Sequence, residues 1–214
     1  VTVTATFEQS KVYNNVIVCD NEAAALDIGG WPLGIGPEGD TSGGWVSKSE
    51  FFNNIVVSRG KGVPRAVGED SIRLGNVLDH NLYWRVGAPG PLAKWGGHTD
   101  AAKFWEGKGA EGRIPPQEFA TLADLQQTTG QEAHGLYADP RFRGLGNGGV
   151  GRLPLEAYRL LAGSPAFGAG RSVELSEEWL AERRKYLTDT GAEAYGIPME
   201  PQAVVSDYWG GKLG

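Results

Sequence analysis

The sequence is poor in the residues that build disulfides and metal sites, with one cysteine, one methionine and three histidines. Because Cys19 stands alone, an intrachain disulfide is excluded, and its place in the apolar run 16–19 predicts a buried small side chain. No acidic cluster has the spacing of a calcium loop, so no metal site is expected. No stretch is long and apolar enough to cross a bilayer, and no signal peptide stands at the start. A membrane is therefore not an expected partner.

Basic residues are also few, since 20 lysines and arginines stand against 26 acidic residues and the net charge is −6. No block of basic residues interrupts the sequence. Nucleic acid is therefore not an expected partner, because phosphate binding depends on clustered positive charge. Acidic polysaccharides stay open as partners, because lysines and arginines that are distant in sequence can still cluster locally.

Glycine and apolar residues are abundant, at 33 glycines and 40% of the chain respectively. In a chain of 214 residues this composition is sufficient for a real core, and it favours turns and strands. The chain opens on an alternating strand pattern without an initiator methionine. We expect either that a leader and earlier coils were removed or that this is the C-terminal portion of a longer chain.

One motif occurs three times, as a short β-prone run with an asparagine before its apolar end. The copies are V-Y-N-N-V-I-V at residues 12–18, F-F-N-N-I-V-V at 51–57 and L-D-H-N-L-Y-W at 78–84. When their last asparagines are aligned, the flanking apolar positions superpose. Such self-similarity predicts a parallel β-helix, in which each coil lays its strand on the one below at a spacing of about 4.8 Å.

The aligned asparagines, Asn15, Asn54 and Asn81, predict a ladder of side chains. An asparagine at a bend between strands can hydrogen-bond with its neighbours above and below, which satisfies backbone groups that the bend leaves unpaired. We therefore assign these three residues to the scaffold rather than to ligand contacts.

The spacing of the copies is irregular, because 39 residues separate the first two aligned asparagines and 27 separate the next two. One coil of a β-helix needs about 20 to 30 residues, so the excess must leave as loops. We expect loop insertions at about residues 29–45 and 88–113, which are rich in glycine, proline and aromatic residues. Insertions gather on one face of such folds, often the binding face, so these loops are expected to wall a groove.

Two helices are expected outside the strands. Thr121 and Asp124 predict the start of a short helix, because both residue types cap helix N-termini. Ser176 precedes a run with acids in its first turn and bases in its last, which suits the helix dipole. We expect the coils to occupy residues 1–170, and a C-terminal helix and wrapping tail to pack on them over residues 171–214.

Four segments of the second half carry a family resemblance. They are F-A-T-L-A-D-L-Q at residues 119–126, G-Q-E-A-H-G at 130–135, D-P-R-F at 139–142 and Y-R-L-L-A-G-S-P-A at 158–166. In this order they resemble the C-terminal region of right-handed parallel β-helix proteins of the pectate-lyase-like superfamily, in their secreted bacterial carbohydrate-active branch. A closing Y-G-I-P at 195–198 is similar to the element that ends such proteins, and the resemblance covers about residues 10–200.

The resemblance implies an all-β fold, a right-handed parallel β-helix with long loops, and a secreted or periplasmic enzyme that degrades a polysaccharide or oligosaccharide. It implies a glycoside hydrolase or a polysaccharide lyase and does not decide between them. No cofactor is expected, except Ca²⁺ in the case of a lyase. Acids outnumber plausible lyase bases near the expected groove, so we favour a hydrolase that works by carboxylate acid/base catalysis. A lyase would use Lys48, Lys61 or Arg65.

A noncatalytic function stays open as well. The chain would then be a glycan-binding or structural β-helix segment, and earlier coils of the same or another chain would be its partner. Paired carboxylates beside tryptophans would favour catalysis, whereas tryptophans without convergent acids would favour binding.

Three acids are the candidate catalytic residues. Asp27 alternates with Leu26 and Ile28, which predicts that the two apolar side chains point inward and the carboxylate outward. Glu69 and Asp70 precede a similar alternation one coil later, so stacking would bring them near Asp27. A glycoside hydrolase needs two such carboxyl groups across the scissile bond.

Aromatic residues supply candidate sugar platforms, because sugar rings pack their C–H faces on flat apolar rings. The candidates lie in loop-like, glycine-rich surroundings and are Trp31, Trp45, Trp95 and Trp105. His98 is a further substrate-binding candidate, since with Asp100 it could form an acid and base pair.

The remaining two histidines are interpreted differently. Asp79 and His80 fall inside the third copy, where they either serve the outer face or complete the asparagine ladder. His134 belongs to the family-like G-Q-E-A-H-G segment and is expected to be a structural histidine.

Overall fold

The computed structural model describes residues 2–3, 7–28, 46–67, 75–87, 89–96, 98–99, 113–114, 116–144, 155–174, 177–178, 181, 185 and 204–205. Five predicted site residues, namely Glu69, Asp70, Trp31, Trp45 and Trp105, lie outside these ranges. The expected loop at 29–45 and most of the loop at 88–113 also lie outside them.

Short strands make up most of the regular structure in the described ranges. In chain order they are β1 (Thr2–Val3), β2 (Phe7–Glu8), β3 (Lys11–Tyr13), β4 (Val16–Cys19), β5 (Leu26–Ile28), β6 (Val46–Ser47), β7 (Glu50–Phe52), β8 (Ile55–Ser58), β9 (Arg65–Val67), β10 (Val77–Asp79), β11 (Leu82–Arg85), β12 (Ala93–Trp95), β13 (His98–Thr99), β14 (Arg113–Ile114), β15 (Gln117–Phe119), β16 (Leu136–Tyr137), β17 (Val173–Glu174) and β18 (Val204–Val205). The structure is therefore mostly strand with little helix, as the sequence predicts.

Three sheets receive these strands in turn as the chain advances. A three-stranded sheet has the order β10-β7-β3 and a four-stranded sheet the order β16-β11-β8-β4, and both are parallel throughout. A five-stranded sheet has the order β1-β5-β9-β12-β15, in which only β15 is antiparallel to its neighbour. Strands β2 and β6 form a parallel pair, and β13–β14 and β17–β18 form antiparallel pairs.

The three sequence copies pair with one another in the expected register. In the three-stranded sheet Phe51 lies between Val12 and Leu78. In the four-stranded sheet Ile55 takes the same place between Val16 and Leu82. The superposition of apolar positions predicted from the aligned asparagines is thus confirmed.

The four-stranded sheet is covered on both faces, as central parallel strands usually are. All four residues of β8 are buried. Val56 belongs to the larger apolar cluster, with residues of the other two sheets. Ile55 belongs to a smaller cluster with Phe142 and Ala166, which come from the family-like D-P-R-F and G-S-P-A segments. Those segments therefore cover the sheet, and each fully buried aliphatic side chain contributes about 1.5–3 kcal/mol to stability.

One helix, α1 (Leu122–Thr129), lies between β15 and β16. Thr121 is its N-cap, with a side chain that accepts a hydrogen bond from the Asp124 backbone N–H at 3.1 Å. Gly130 ends it with φ of 67°, a left-handed conformation that glycine adopts without steric cost. The helix start predicted at Thr121 is confirmed. The described helical positions 177, 178, 181 and 185 fall in the helix expected after Ser176.

One local prediction differs from the structure. Cys19 is partly exposed rather than buried, because β4 lies at the edge of its sheet and its thiol lies 3.0 Å from the Asn21 Oδ1 atom. A short 3₁₀ helix spans Leu155–Tyr158. Among the described residues no helix has the length and apolar character needed to span a bilayer.

The segment 169–171 lies across the bends that follow β7 and β10. Asn53 holds it through two hydrogen bonds, because its Nδ2 donates to the Arg171 carbonyl at 2.7 Å and its Oδ1 accepts from the Arg171 N–H at 2.9 Å. His80 approaches the Ala169 carbonyl through Nδ1 at 3.1 Å. We call residues 169–171 the strap.

Candidate functional site

The outer face of the five-stranded sheet carries the predicted acid Asp27. Strand β5 buries Leu26 and Ile28 and leaves Asp27 partly exposed, as the alternation predicts. Register pairs place Ala66 beside Asp27, then Lys94, then Glu118 along the same row. This row lies on the face expected to hold substrate.

Asp27 has an uncharged neighbour on each side along that row, Thr2 on β1 and Ala66 on β9. Burial raises the pKa of the Asp27 carboxyl above its ordinary value, and the positive charge of the N-terminus opposes that rise. Lys94 binds Glu118 with an Nζ–Oε1 distance of 3.0 Å. At about 4.8 Å for each strand, Glu118 lies roughly 14 Å along the sheet from Asp27. That separation exceeds both carboxyl spacings used by glycosidases, so Glu118 does not supply a second catalytic carboxyl.

Of the other described candidates, Trp95 does not lie on this face. Trp95 is on the inner side of β12, where its ring covers the Arg65 guanidinium at 5.2 Å and packs on the larger apolar cluster. His98 lies in β13, next to the position of Ile114 on β14. The sugar-contact roles of Trp95 and His98 stay predictions, and the described contacts of Trp95 are those of a core residue.

Two of the bases considered for a lyase are engaged elsewhere. Arg65 is 1% exposed and lies inside the molecule, so it cannot reach a polysaccharide on the outer face. Lys61 is an exposed residue whose Nζ lies 2.8 Å from Glu22 Oε1. Lys48 is exposed as well.

The asparagine ladder is present and ends on a buried acid that the sequence did not reveal. The Oδ1 atom of Asn54 accepts hydrogen bonds from both the backbone N–H and the Nδ2 of Asn15. Asn81 Oδ1 accepts in the same way from Asn54, and the four distances are 2.9–3.2 Å. Asn81 donates in the same way to Glu132, with its Nδ2 2.9 Å from Oε1. Gly135 occupies the next ladder position, where a Cβ atom would lie 2.8 Å from Glu132 Oε2. The glycine thus leaves room for the carboxylate that ends the ladder.

Glu132 is fully buried, and its carboxylate has one partner in the five-stranded sheet and one in the four-stranded sheet. Arg65 Nη1 donates to its Oε1 at 3.0 Å, and the Tyr83 hydroxyl donates to the same oxygen at 2.5 Å. Burial raises the pKa of the Glu132 carboxyl, and the Arg65 charge and the Tyr83 and Asn81 hydrogen bonds counter that rise. Burial also raises the pKa of the Tyr83 hydroxyl. These groups are enclosed, so we assign them to stability rather than to catalysis.

A second polar cluster, formed by Asp79, His80 and His134, is open to solvent. His134 Nδ1 lies 2.9 Å from Asp79 Oδ2, and His80 Nε2 lies 3.8 Å from the same oxygen. The two imidazole rings stack with centroids 4.5 Å apart and an interplanar angle of 12°. Burial tends to raise the pKa of the Asp79 carboxyl, but hydrogen bonds from His134 and His80 bring that pKa below its ordinary value.

Sequence reasoning did not join these three residues, because 54 positions separate the two histidines in the chain. A signal was nevertheless present, since H-N-L-Y at 80–83 is matched by H-G-L-Y at 134–137. Register pairing of Leu82 with Leu136 then stacks His134 on His80. His134 was expected to be a structural histidine, yet its side chain is 65% exposed.

A small cleft lies beside the strap, with a volume of about 200 Å³. Its charged groups neutralise one another, because Glu50 binds both Lys11 and Arg171, and the Arg171 guanidinium also covers the Phe52 ring at 3.8 Å. The hydrogen bond from Arg171 holds the pKa of the Glu50 carboxyl below its ordinary value. The contacts of Arg171 with Glu50 and Phe52 therefore anchor the strap.

The family resemblance rests on the sequence motifs alone, because comparisons with known proteins add no support to it. The chain matches no family model, no curated protein and no solved structure.

Proposed function

We propose that this chain is a carbohydrate-active protein, a glycoside hydrolase that cleaves a polysaccharide or oligosaccharide with Asp27 as its proton donor. The observation that carries the proposal is the position of Asp27, a half-buried carboxyl on the outer face of a parallel sheet, with a pKa raised by burial. A catalytic acid must hold its proton near the working pH, and partial burial is the usual way to raise the pKa of a carboxyl group.

The proposal includes a fold, the right-handed parallel β-helix of the pectate-lyase-like superfamily. Three sheets that receive strands in turn, parallel except for β15, support it, together with the in-register copies and the asparagine ladder. In such a fold the outer face of one sheet forms an elongated groove, which suits a linear sugar chain. A secreted or periplasmic location is part of the proposal, because long polysaccharides do not enter the cytoplasm intact.

The second carboxyl group of the proposed mechanism is Glu69 or Asp70. Both follow β9 in the sequence, and β9 pairs with β5, the strand that carries Asp27. Loops 29–45 and 88–113, with their tryptophans, are proposed to wall the groove. In this scheme Asp27 protonates the leaving oxygen while the second carboxylate activates water or attacks the sugar.

A hydrolase is preferred to a lyase because of where the bases lie. Arg65 is inside the molecule, and Lys61 forms an ion pair on the surface. Lys94, which shares the face with Asp27, is bound to Glu118. The described face therefore presents a protonatable acid and no basic group free of an acidic partner.

The test is incubation of the protein with a panel of neutral and acidic polysaccharides. New reducing ends without ultraviolet absorbance from unsaturated sugars would support hydrolysis, whereas both signals together would indicate a lyase. Neither signal, with retention on an immobilised glycan, would indicate a binding module. Each of the last two outcomes would overturn the hydrolase proposal.

The assignment of Asp27 is tested with two amide variants. Asp27→Asn should lower the rate by roughly 10²-fold or more, because a positioned general acid contributes about 10²–10⁴. Glu22→Gln is the matched control, since Glu22 is an exposed acid that pairs with Lys61 on the surface and should keep full activity. Undiminished activity of Asp27→Asn would remove Asp27 from the mechanism.

A further inference from the structure

The cluster Asp79, His80 and His134 has the composition of a metal site. Two imidazoles and one carboxylate come from two sequence segments, and their ligand atoms all lie within 4.8 Å of one another. We propose that these three residues bind one divalent first-row transition metal ion, with Zn²⁺ as the preferred ion. The site is separate from the sheet face that carries Asp27 and does not depend on the proposed hydrolase activity.

The distances in the cluster are close to those that an ion requires. Ligands bound to Zn²⁺ at about 2.0–2.1 Å in a tetrahedral arrangement are roughly 3.4 Å apart. Asp79 Oδ2 lies 2.9 Å from His134 Nδ1 and 3.8 Å from His80 Nε2, which bracket that value, and the ligand atoms of the two imidazoles lie within 4.8 Å of each other. The ion takes the place of the hydrogen between Asp79 and His134, and that hydrogen moves to Nε2 of His134 or to solvent.

His80 is already oriented as a ligand by its other ring nitrogen. The Ala169 carbonyl can only accept, so the Nδ1 atom at 3.1 Å must carry the hydrogen. The neutral ring then has its lone pair on Nε2, the atom that faces Asp79. Donation of the second ring N–H to a backbone carbonyl is the usual arrangement around metal-bound histidines.

Asp79 is fixed in the same way by the backbone. Its Oδ1 accepts from the backbone N–H of His80 and of His134, both at 2.8 Å. These two bonds tie the segments together and leave Oδ2 directed at the imidazoles. The carboxylate and both histidines are thus held before an ion arrives, which lowers the entropic cost of binding.

The donor set selects the class of ion. Neutral imidazoles favour Zn²⁺, Co²⁺, Ni²⁺ and Cu²⁺, whereas Ca²⁺ and Mg²⁺ require mostly oxygen ligands. Three protein ligands leave at least one coordination position open to water, as in zinc sites that are not fully enclosed. The ion can reach the site from solvent, because the His134 side chain is 65% exposed while Asp79 is 23% exposed.

The test is titration of the metal-stripped protein with Zn²⁺ by calorimetry. All variants carry Cys19→Ser, so that the one thiol does not bind the ion. We expect one ion per chain with a Kd on the order of 1 µM or below. A Kd weaker than about 100 µM, or several equivalent ions per chain, would overturn the proposal.

Two ligand variants and one control localise the ion. His80→Asn suits the backbone, because Asn14 and Asn53 occupy the equivalent positions of the other copies with φ of 58° and 55°, against 55° for His80. His80→Asn and His134→Asn should each weaken Zn²⁺ binding by at least about 100-fold, more than the loss of an outer-shell partner usually costs. His98→Asn should bind as the parent does. Equal affinity in all variants would contradict the site.

Imidazole ¹H–¹⁵N spectra give a readout that does not depend on any variant. Addition of Zn²⁺ should shift the ring nitrogens of His80 and His134 and leave those of His98 unchanged. Binding that shifts only His98, or no histidine, would reject the assignment even if every variant failed to fold.

Discussion

The carboxyl of Asp27 is held where burial disfavours its charged form. Its pKa is raised in the folded state, so ionising it at neutral pH costs more free energy in the folded protein than in the unfolded chain. Stabilisation from this group is present below the ordinary aspartate pKa of about 3.9 and is lost as pH rises through the raised value. A residue retained at such a cost fits the role of a proton donor.

Asp27→Asn should therefore raise the melting temperature at pH 7, and the gain should vanish near pH 3, where the native carboxyl is also neutral. Calorimetric melting across this range measures it. Glu50→Gln is expected to behave in the opposite way, because Arg171 lowers the pKa of Glu50 and its contribution is lost as pH falls. A pH-independent difference for Asp27→Asn would contradict the burial argument.

At the residue scale the sequence predicts which way a side chain points better than it predicts which residues that side chain contacts. Alternation along β5 is enough to turn Asp27 outward, because side-chain direction in a strand is local. The pairing of Glu132 with Arg65 could not be predicted, since 67 residues separate them and each lies in a segment with its own plausible surface role. The same holds for His80 and His134, which meet only through the register of β11 and β16.

Among the elements, α1 has the clearest local cause. Thr121 accepts the Asp124 backbone N–H, and Gly130 donates its N–H to the Gln126 carbonyl at the other end. Both features are legible in the sequence because capping depends on neighbours within four residues. Strand pairing is harder to predict from the sequence, because the paired strands are far apart in the chain and the loops between them vary in length.

Thr121→Ala should destabilise the protein by about 1 kcal/mol, because it removes the N-cap hydrogen bond and the hydrogen bond from the Thr121 hydroxyl to the Asp124 carboxylate. Chemical denaturation with urea measures the change. Thr128→Ala is the matched control, because Thr128 is an exposed interior position of the same helix, where alanine is favoured by propensity. Equal losses in the two variants would show that capping is not the cause.

The strap gives a second element-scale prediction. Asn53→Gly keeps the positive φ that this bend requires but removes two hydrogen bonds to Arg171. We expect a loss of about 1–3 kcal/mol and faster amide exchange in residues 169–173.

Asn14→Gly is the control for the strap. Asn14 holds the same position in the first copy with φ of 58°, but its buried amide has no hydrogen-bond partner in the described part of the chain. Its removal should cost little, because an unsatisfied buried amide contributes nothing favourable. Protection of the strap in Asn53→Gly that equals the parent's would refute its anchoring by Asn53.

At the scale of the whole molecule, one residue, Glu132, joins the three sheets. Glu132 pairs through its backbone N–H with the carbonyl of Leu78 on β10, and its side chain binds Arg65 of β9 and Tyr83 of β11. The asparagine ladder then extends the same hydrogen-bond network back to Asn15. Since each sheet is short, this shared centre should unfold with the molecule and not separately from it.

Arg65→Met should destabilise the protein by about 3–5 kcal/mol at neutral pH, because it leaves the buried charge of Glu132 without its cation. The Arg65 charge lowers the pKa of Glu132, so its removal raises that pKa further. This rise in pKa costs no stability below the ordinary glutamate pKa of about 4.3. The cost grows as pH increases through the pKa of Glu132 in the folded protein. The deficit of Arg65→Met relative to the parent should therefore be smaller at pH 4 than at pH 8.

The double variant Arg65→Met with Glu132→Gln tests whether the two residues are coupled. It should be more stable at pH 8 than the sum of the single losses predicts, because it leaves no unpaired charge in the interior. Denaturant unfolding at both pH values measures all four proteins, and strict additivity of the two substitutions would show that the pair is not coupled.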